Sequence, residues 1–378
     1  MVTKRARTWL TRGTGVAVLA IVGTLGSSSW ALSGTVAAEL YLVDPATAVT
    51  VIEVDARGVT LAADDRSTLP GTWGLVTETG TMVVGAIQSA DDAEVRRRLL
   101  AATGAMDAGS AAFDRIVYGP DPGAVGLPFS EVILDGPRGD MATWVIAGTD
   151  DTWVVFVHDS GTDRTEALRV LGALSALGLP VVIPALGDEA ADSAERADLG
   201  TGSFRHVTVA MDFALGSGAE EVVLIGSGTG ASAALLAAAD DRYDTAVPVI
   251  ILDGPLLDAA TVAEQRLRAD KVPGFLVGWA KAVATFRFGI EWTALDHVAT
   301  ASQQLRPLLI FHGDADERFP LTSSRAYAAA APAATLVVVA GAGHGETWNL
   351  DPEAYEAALV AFLGETVVGP SGLEPVGS

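Results

Sequence analysis

The feature that most constrains the fold is a series of short apolar runs between residues 153 and 339. These runs are rich in leucine and β-branched residues and lack polar alternation, at residues 153–157, 181–183, 222–225, 249–252, 308–311 and 336–339. Such runs are typical of strands buried on both faces of a parallel sheet. Segments with helical patterns lie between them, at residues 164–177, 204–215 and 231–239. The alternation predicts a doubly wound α/β sheet with right-handed crossovers.

The sequence around this sheet predicts a division into four parts. These are a basic flank with an apolar segment at 1–40, a β-rich region at 41–131, the α/β domain at 132–366 and a flexible tail at 367–378. Within the α/β domain, residues 253–305 interrupt the strand–helix rhythm and are expected to form an insertion over the edge of the sheet. The last helix should begin with Asp351 as its N-cap and Pro352 at its first helical position.

Residues 41–131 are expected to be mostly strands. Residues 50–54 and 59–62 flank Gly58 and predict a hairpin, because glycine readily takes a positive φ. A second pair of strands is predicted at 73–76 and 81–87. Residues 94–101 instead predict a short helix, in which Arg96, Arg97 and Arg98 lie on a solvated face or pair with nearby acids.

Three motifs follow predicted strands, where open α/β sheets place their functional sites. The first is the turn Gly226-Ser227-Gly228-Thr229-Gly230, and the second is His312-Gly313-x-x-Asp316. The third is Gly341-x-Gly343-His344-Gly345. Each motif alone is weak, but their order, a glycine-rich turn, then an acid, then a histidine, is the chain order of α/β-hydrolases.

Over roughly residues 132–363 the sequence resembles the α/β-hydrolase superfamily, and most closely its serine esterase and peptidase-like members. The acid and histidine motifs resemble the loops of that family's catalytic triad, so the resemblance implies that Asp316 orients His344 as a general base. His158, Asp159 and Ser160 follow a predicted strand and resemble the segment that helps to form the oxyanion hole.

The sequence departs from this family at two positions of one chemical step. Gly228 stands where the elbow motif has its nucleophilic serine, and a glycine has no side chain that can attack a carbonyl. Asp159 stands where the family usually has glycine, and its carboxylate would oppose a developing oxyanion. The leading hypothesis is therefore a hydrolase-fold protein without ordinary serine-hydrolase activity, in which Asp316 and His344 are a residual pair.

An active ester or peptide hydrolase with an unconventional nucleophile remains an alternative. Ser227 and Thr229 flank Gly228, but neighbours on a tight turn point away from its tip, and Ser232 would lie one turn into the helix. Ser160, on the adjacent loop, is the better-placed substitute. Thr229 and the segment His158 to Ser160 would then surround the reacting group.

A second alternative is a dinucleotide-binding protein. The pattern Gly226-x-Gly228-x-x-Ala231 follows a strand and opens a helix, and Asp253 lies near the spacing expected for a contact with a ribose. Against this interpretation, two strands precede the motif, and the acid and histidine loops would have no explanation. We therefore expect no cofactor, and no histidine or acid spacing predicts a metal site.

Charge and composition exclude other classes of protein. The formal net charge is −23, which disfavours nucleic acid as a partner, and the content of 49% hydrophobic and 19% charged residues disfavours intrinsic disorder. The chain has no cysteine, so it has neither disulfides nor a thiol nucleophile. A small molecule or a peptide is a possible ligand.

The N-terminus has the layout of an export signal or a membrane anchor. Four basic residues precede an uncharged run that extends through Ala38, and residues 13–25 are mostly apolar. We expect a single-pass anchor with the N-terminus inside and the acidic body outside. Residues 31–33 would also serve as a cleavage site, in which case the protein would be secreted.

Overall fold

A computed structural model describes residues 28–36, 47–116, 119–186 and 202–368 of the chain. The N-terminal strands are β1 (Thr47–Asp55), β2 (Gly58–Ala62), β3 (Trp73–Val76), β4 (Gly80–Ala90), β5 (Glu94–Gly104) and β6 (Gly109–Asp114). These six strands close into an antiparallel barrel in the order β1-β2-β5-β4-β3-β6. Both predicted strand pairs are present, β1 with β2 and β3 with β4.

The barrel has an apolar interior because alternate residues of its strands point inward. Trp73 and Phe113 are in contact inside it, with ring centroids 4.9 Å apart, and Met82 packs in the same cluster. The same cluster includes Ala342 and Leu350 from the C-terminal part of the chain. The barrel is therefore packed against the loops at one edge of the second sheet.

The prediction of a helix at residues 94–101 is wrong, because these residues form β5. Val95 and Arg97 are buried and face the barrel interior, whereas Arg98 is exposed, which is the alternation of a strand. Arg97 was expected on a solvated face, but its guanidinium donates to the carbonyl oxygens of Gly85, Ser67, Leu69 and Gly71. Four carbonyl acceptors satisfy a buried charge that the sequence pattern could not assign to the interior.

The second sheet has eight strands. They are β7 (Phe129–Gly136), β8 (Gly139–Ile146), β9 (Thr152–Val157), β10 (Val181–Pro184), β11 (Glu221–Ser227), β12 (Ile250–Asp253), β13 (Leu308–Gly313) and β14 (Ala334–Val339). Their order is β14-β13-β12-β11-β9-β10-β8-β7, in which β9 to β14 are parallel and β8 is antiparallel to its neighbours. All six predicted buried runs are strands of this sheet, which confirms the doubly wound α/β prediction.

Helices cover both faces of the sheet. They are α1 at residues 28–36, α2 (Leu168–Ala176), α3 (Ser203–Gly216), α4 (Gly228–Ala238), α5 (Ala259–Ala269), α6 (Gly274–Phe288), α7 (His297–Thr300), α8 (Leu321–Ala330), α9 (Thr347–Leu350) and α10 (Pro352–Leu363). Two large apolar clusters hold them on the sheet, one packing α3 and α4 and the other packing α2 and α10. As predicted, the Asp351 side chain caps α10 by accepting from the N–H of Ala354.

Helices α5, α6 and α7 lie between β12 and β13, in the predicted insertion at residues 253–305. Val277, Ala280 and Ala284 of α6 are buried in an apolar cluster of their own, which also includes Val36 of α1. Helix α1 therefore packs on the insertion. Arg287 holds it there by donating to the carbonyl oxygen of Trp30 and to the hydroxyl of Ser33, at 2.8 and 2.9 Å.

Within the described ranges, no helix is both long enough and apolar enough to cross a bilayer. The apolar stretch at 13–25, on which the anchor prediction depends, lies outside those ranges. Most of the predicted tail at 367–378 lies outside them as well, and residues 364–368 continue α10 as a π-helix.

Candidate functional site

The loops that follow β9, β11, β13 and β14 meet at the carboxyl edge of the sheet, because these strands are parallel. They bring Asp159, Gly228, Asp316 and His344 together. Nδ1 of His344 lies 2.9 Å from Oδ2 of Asp316, and its Nε2 lies 3.1 Å from Oδ2 of Asp159. Both ring nitrogens of the histidine therefore face a carboxylate.

Gly228 occupies the tip of the turn between β11 and α4, with φ of +54°, in the left-handed region that L-residues seldom adopt. A Cβ atom at this position would overlap Cγ and Oδ1 of Asp159 and would lie 2.7 Å from its Oδ2. The carboxylate of Asp159 therefore fills the space in which a side chain at position 228 would begin.

Asp159 also accepts the hydrogen bonds of the turn itself. Its Oδ1 receives the backbone N–H of Thr229 at 2.8 Å and the hydroxyl of Thr229 at 2.9 Å. In an α/β-hydrolase, the N–H of the residue after the nucleophile is part of the oxyanion hole. The carboxylate of Asp159 thus accepts hydrogen bonds from both His344 and the N–H of Thr229, which stands at the position of that donor.

Arg318 completes this cluster, and the sequence did not single it out. Its Nη1 donates to Oδ2 of Asp159 at 2.6 Å, and both side chains are buried. The residue follows Asp316 by two positions, so a cation beside the acid motif was the available signal. We name Asp159, Arg318, Asp316 and His344 the carboxylate–histidine–arginine cluster. Two carboxylates in it face one guanidinium and one imidazole.

The charges of the cluster shift one another's pKa values. Burial alone would raise the pKa of Asp159, but the positive charge of Arg318 and the hydrogen bond from His344 hold it well below its usual range. Burial lowers the pKa of His344, yet the carboxylates of Asp316 and Asp159 outweigh this effect and raise it above the ordinary 6.5. The pKa of Asp316 is lowered, because His344 outweighs the effect of burial. The surroundings thus favour the charged form of all three groups.

A second group of buried charges contacts the backbone of Asp159. Glu166 accepts the backbone N–H of Asp159 at 2.8 Å and the hydroxyl of Ser227 at 2.7 Å. Arg169 pairs with Glu166 at 3.4 Å and with Asp253 at 2.9 Å. Sequence reasoning missed Glu166 and Arg169, although two charges inside a predicted apolar helix were a possible signal.

The barrel contacts the loop that carries His344. Arg115, just after β6, donates to the carbonyl oxygen of His344 at 2.7 Å, and Arg66 pairs with Glu346 at 2.6 Å. Nδ2 of Asn349 donates to the carbonyl oxygens of Thr72 and Arg115 at 2.9 and 3.0 Å. The position of the histidine therefore depends on the barrel as well as on β14.

The predicted substitutes for serine do not contact His344 through hydrogen bonds. The hydroxyl of Ser227 donates to Glu166, and that of Thr229 donates to Asp159. The backbone N–H of Ser160 donates to Thr229, and its hydroxyl is buried and has no hydrogen-bond partner among the described residues. Ser232 is bonded to His297 inside the protein, 2.7 Å from its Nε2.

The remaining histidines of the site region are bonded to the protein itself. His158 lies with Nδ1 2.9 Å from the carbonyl oxygen of Asp159, and its Nε2 faces the N–H of Leu186 at 3.3 Å. His312 bonds to the hydroxyl of Ser324 and to the carbonyl oxygen of Phe319. In the ranges that the structure describes, no three histidine or acidic side chains are grouped as metal ligands.

The geometry gives the dinucleotide alternative no support. Asp253, the acid expected to contact a ribose, is buried and already bonded to Arg169, Thr347 and Tyr355. A ribose hydroxyl would have to displace one of these partners.

Solved structures of other proteins resemble this chain in fold. An esterase of Pyrococcus furiosus superimposes with a TM-score of 0.51 at 16% identity, covering 67% of this chain and 96% of the esterase. This chain has the α/β-hydrolase fold. Another crystal form of that esterase gives a TM-score of 0.50 at 16% identity, over 66% of this chain and 95% of the esterase. An esterase of Thermogutta terrifontis gives 0.45 at 18% identity, over 62% of this chain and 98% of that one.

The barrel has a separate likeness. Residues 50–114 match the model of a domain of unknown function, DUF8805, which covers the barrel and none of the hydrolase fold. No curated protein sequence matches the chain. The match at the barrel gives no chemistry, so any proposal about activity depends on the site itself.

Proposed function

We propose that this chain is a non-catalytic α/β-hydrolase-fold protein, held at a membrane by its N-terminal segment, with its body outside the cytoplasm. The observation that carries the loss of catalysis is the position of the Asp159 carboxylate. It fills the space of a nucleophile at position 228 and accepts the hydrogen bonds that an attacking serine and an oxyanion would need.

The chemistry of this arrangement opposes acyl transfer at each point. Gly228 supplies no nucleophile, and a negative charge already occupies the place where an oxyanion would develop. Removing the serine from a working serine protease lowers kcat by about 10⁶-fold, so a residual pair of acid and histidine supplies little. The pair instead contributes to a buried cluster of balanced charge, which holds four loops together at the edge of the sheet.

The second candidate is a hydrolase that uses Asp159 itself as the nucleophile. The observation in its favour is that a carboxylate lies 3.1 Å from Nε2 of His344 while its other oxygen accepts a backbone N–H. Against it, Asp159 is fully buried and its reactive oxygen is paired with Arg318 at 2.6 Å. A carboxylate with a strongly lowered pKa is also a weak nucleophile.

A fluorophosphonate probe tests the proposal. We expect no covalent labelling of the wild-type protein, which lacks the serine, or of Gly228→Ser, in which the added side chain shifts Asp159 but leaves its negative charge beside position 228. The double variant Asp159→Gly/Gly228→Ser should be labelled at position 228, and adding His344→Ala to it should abolish the labelling. Labelling of the wild-type protein would contradict the loss of catalysis.

An isotope experiment tests the second candidate. Turnover of p-nitrophenyl acetate in ¹⁸O-water by the wild-type protein, with ¹⁸O incorporated into Asp159, would establish the carboxylate as a nucleophile. Turnover no greater than that of an Asp159→Asn/His344→Gln control supports a non-catalytic protein. A small molecule or a peptide as its ligand stays a prediction.

Retention of the anchor is supported by the contacts of α1. The candidate cleavage sequence at residues 31–33 lies within this helix, where Ser33 is buried and accepts a hydrogen bond from Arg287. Cleavage after Ser33 would remove both groups to which Arg287 donates. Intact mass of the protein purified from membranes should show the N-terminal segment present, and a chain that begins at residue 34 would contradict its retention.

A further inference from the structure

The outward face of α6 is an exposed aromatic stripe. Phe275, Trp279 and Phe286 are 65%, 61% and 86% exposed. At 3.6 residues per turn these three side chains lie within about 40° of one another, and Gly278 and Ala282 complete the stripe without adding charge. The opposite face of the helix is buried in the insertion. Large aromatic side chains at such exposures mark a surface that another phase or partner covers.

The charge around the stripe is opposite to that of the whole chain. Residues 265–288 hold five basic residues and one acidic residue, whereas the chain has a net charge of −23. On the helix, Lys281 and Arg287 lie on either side of the stripe, each about 120° away. Lys281 pairs with Glu264 at 2.9 Å and Arg287 donates to Trp30 and Ser33, so both add positive charge beside the stripe while bonded to the protein. An aromatic face flanked by basic side chains is the pattern of a helix that lies in the surface of an anionic membrane.

The path of the chain leads to the same surface. Helix α1 packs at the end of α6, where the guanidinium of Arg287 lies 4.1 Å from the ring of Trp30 and 4.6 Å from the ring of Phe288. Trp30 is itself 53% exposed. Residue 28, the first described residue of α1, lies within the uncharged run that extends from Gly13 through Ala38. The first described turn of α1 therefore lies beside the C-terminal end of α6.

We propose that the aromatic stripe of α6, together with Trp30, docks on a bilayer surface of anionic phospholipid. Phenylalanine and tryptophan side chains would enter the boundary between headgroups and acyl chains, and the exposed Lys271 would face lipid phosphates. The docking fixes the orientation of the whole protein on the membrane, with the insertion toward the lipid. It rests on the membrane attachment in the proposed function and is independent of the loss of catalysis, because an active hydrolase could dock in the same way.

The absence of cysteine allows a direct test, since single-cysteine variants of the full chain can be labelled without background. Phe275→Cys and Trp279→Cys would each carry an NBD fluorophore, and Ser89→Cys on β4, an exposed position of the barrel, is the matched control. The labelled proteins are mixed with vesicles of equimolar phosphatidylcholine and phosphatidylglycerol. Emission and quenching by a nitroxide on the lipid chains are measured, and vesicles of phosphatidylcholine alone are the second arm.

We expect a blue shift for the labels at 275 and 279, with quenching about twofold greater than for the label at 89. The shift should weaken in phosphatidylcholine vesicles or at high salt, because part of the attraction is to anionic headgroups. Labels that stay in a water-like environment in the presence of vesicles would overturn the proposal. So would a shift that needs no vesicles and grows with protein concentration, since a second copy would then cover the stripe. Neither result would change the fluorophosphonate labelling.

Discussion

The carboxylate of Asp159 lies where a side chain at position 228 would begin, so the aspartate requires a glycine there. A Cβ at Gly228 would overlap Cγ of Asp159 and lie 2.7 Å from its Oδ2. The two departures from the hydrolase pattern are therefore one structural unit. Glycine at the elbow makes room for the carboxylate, and the carboxylate occupies the room that glycine leaves.

We expect Gly228→Ala to lower the free energy of unfolding by about 4 kcal/mol or more. A left-handed backbone costs a non-glycine residue about 1–2 kcal/mol, and displacing Asp159 breaks a buried ion pair, which costs about 3–5 kcal/mol. Urea denaturation measures the change. Gly172→Ala in α2, where no atom lies within 4 Å of an added Cβ, is the control and should stabilise by about 0.5–1 kcal/mol.

A double-mutant cycle isolates this relationship. In an Asp159→Gly background, Gly228→Ala should cost only the backbone strain of about 1–2 kcal/mol, because the clash has gone. Additive effects of the two substitutions would show that the carboxylate does not fill the space beside position 228.

The titration of His344 reports the cluster directly. Burial lowers its pKa, while Asp316 and the hydrogen bond that His344 donates to Asp159 raise it and Arg318 lowers it. We expect the pKa to lie above 6.5 in the wild-type protein, to fall in Asp159→Asn and to rise in Arg318→Met. Nitrogen-15 NMR of the imidazole measures all three. An unchanged pKa in both variants would contradict the contacts of Nε2 described above.

The same shift predicts how stability depends on pH. A histidine whose pKa is raised on folding contributes stability that is fully present below about 6.5 and is lost as the pH rises through its folded-state pKa. The free energy of unfolding should therefore fall above pH 6.5 more steeply in the wild-type protein than in His344→Gln. Asp159 has the opposite sign, and its contribution is lost only as the pH falls through its lowered pKa. Parallel curves for the two proteins on the alkaline side would contradict the shift.

Sequence alone predicted the sheet because each buried strand carries its own signal in three to five apolar residues. It also identified Gly228, Asp316 and His344, since each follows such a strand and the parallel order brings their loops to one edge. The partner of Asp159 could not be predicted in this way. Whether Arg318 reaches Asp159 depends on loop conformations and on a sequence separation of 159 residues, which no local pattern encodes.

In the barrel, too, a buried charge could not be predicted from the local sequence pattern. A run of three arginines indicated a solvated helix because charged residues are seldom buried. Arg97 is buried because four carbonyl oxygens converge on it at the end of the barrel, and those carbonyls belong to β4 and to the chain between β2 and β3. The alternation of the strand was present in Val95, Arg97 and Leu99, but a charge at its centre concealed it.

The junction between the barrel and the histidine loop should be sensitive to small changes. A Cβ at Gly71, where φ is +86°, would overlap the carbonyl oxygen of Asn349 and lie 2.6 Å from that of Leu350. We expect Gly71→Ala to separate the two surfaces and to increase hydrogen exchange both in the barrel and at the His344 loop. Gly126→Ala, at a similar φ but with open space around it, is the matched control and should change neither region. Exchange confined to the barrel would show that the loop holds His344 without it.

Arg97 allows a comparison of two neighbours on one strand. Arg97→Leu leaves four carbonyl oxygens without their charged donor, and each such loss costs about 1–3 kcal/mol, so we expect a loss of at least about 3 kcal/mol. Arg98→Leu, at the exposed neighbouring position, should change stability by less than about 0.5 kcal/mol. Urea denaturation followed by circular dichroism measures both. Burial also lowers the pKa of Arg97 to about 10, so above pH 10 the unfolded chain binds more protons at this residue than the folded one, and the wild-type protein should gain stability relative to Arg97→Leu. Equal stabilities of the two variants would show that the four carbonyls do not depend on the guanidinium.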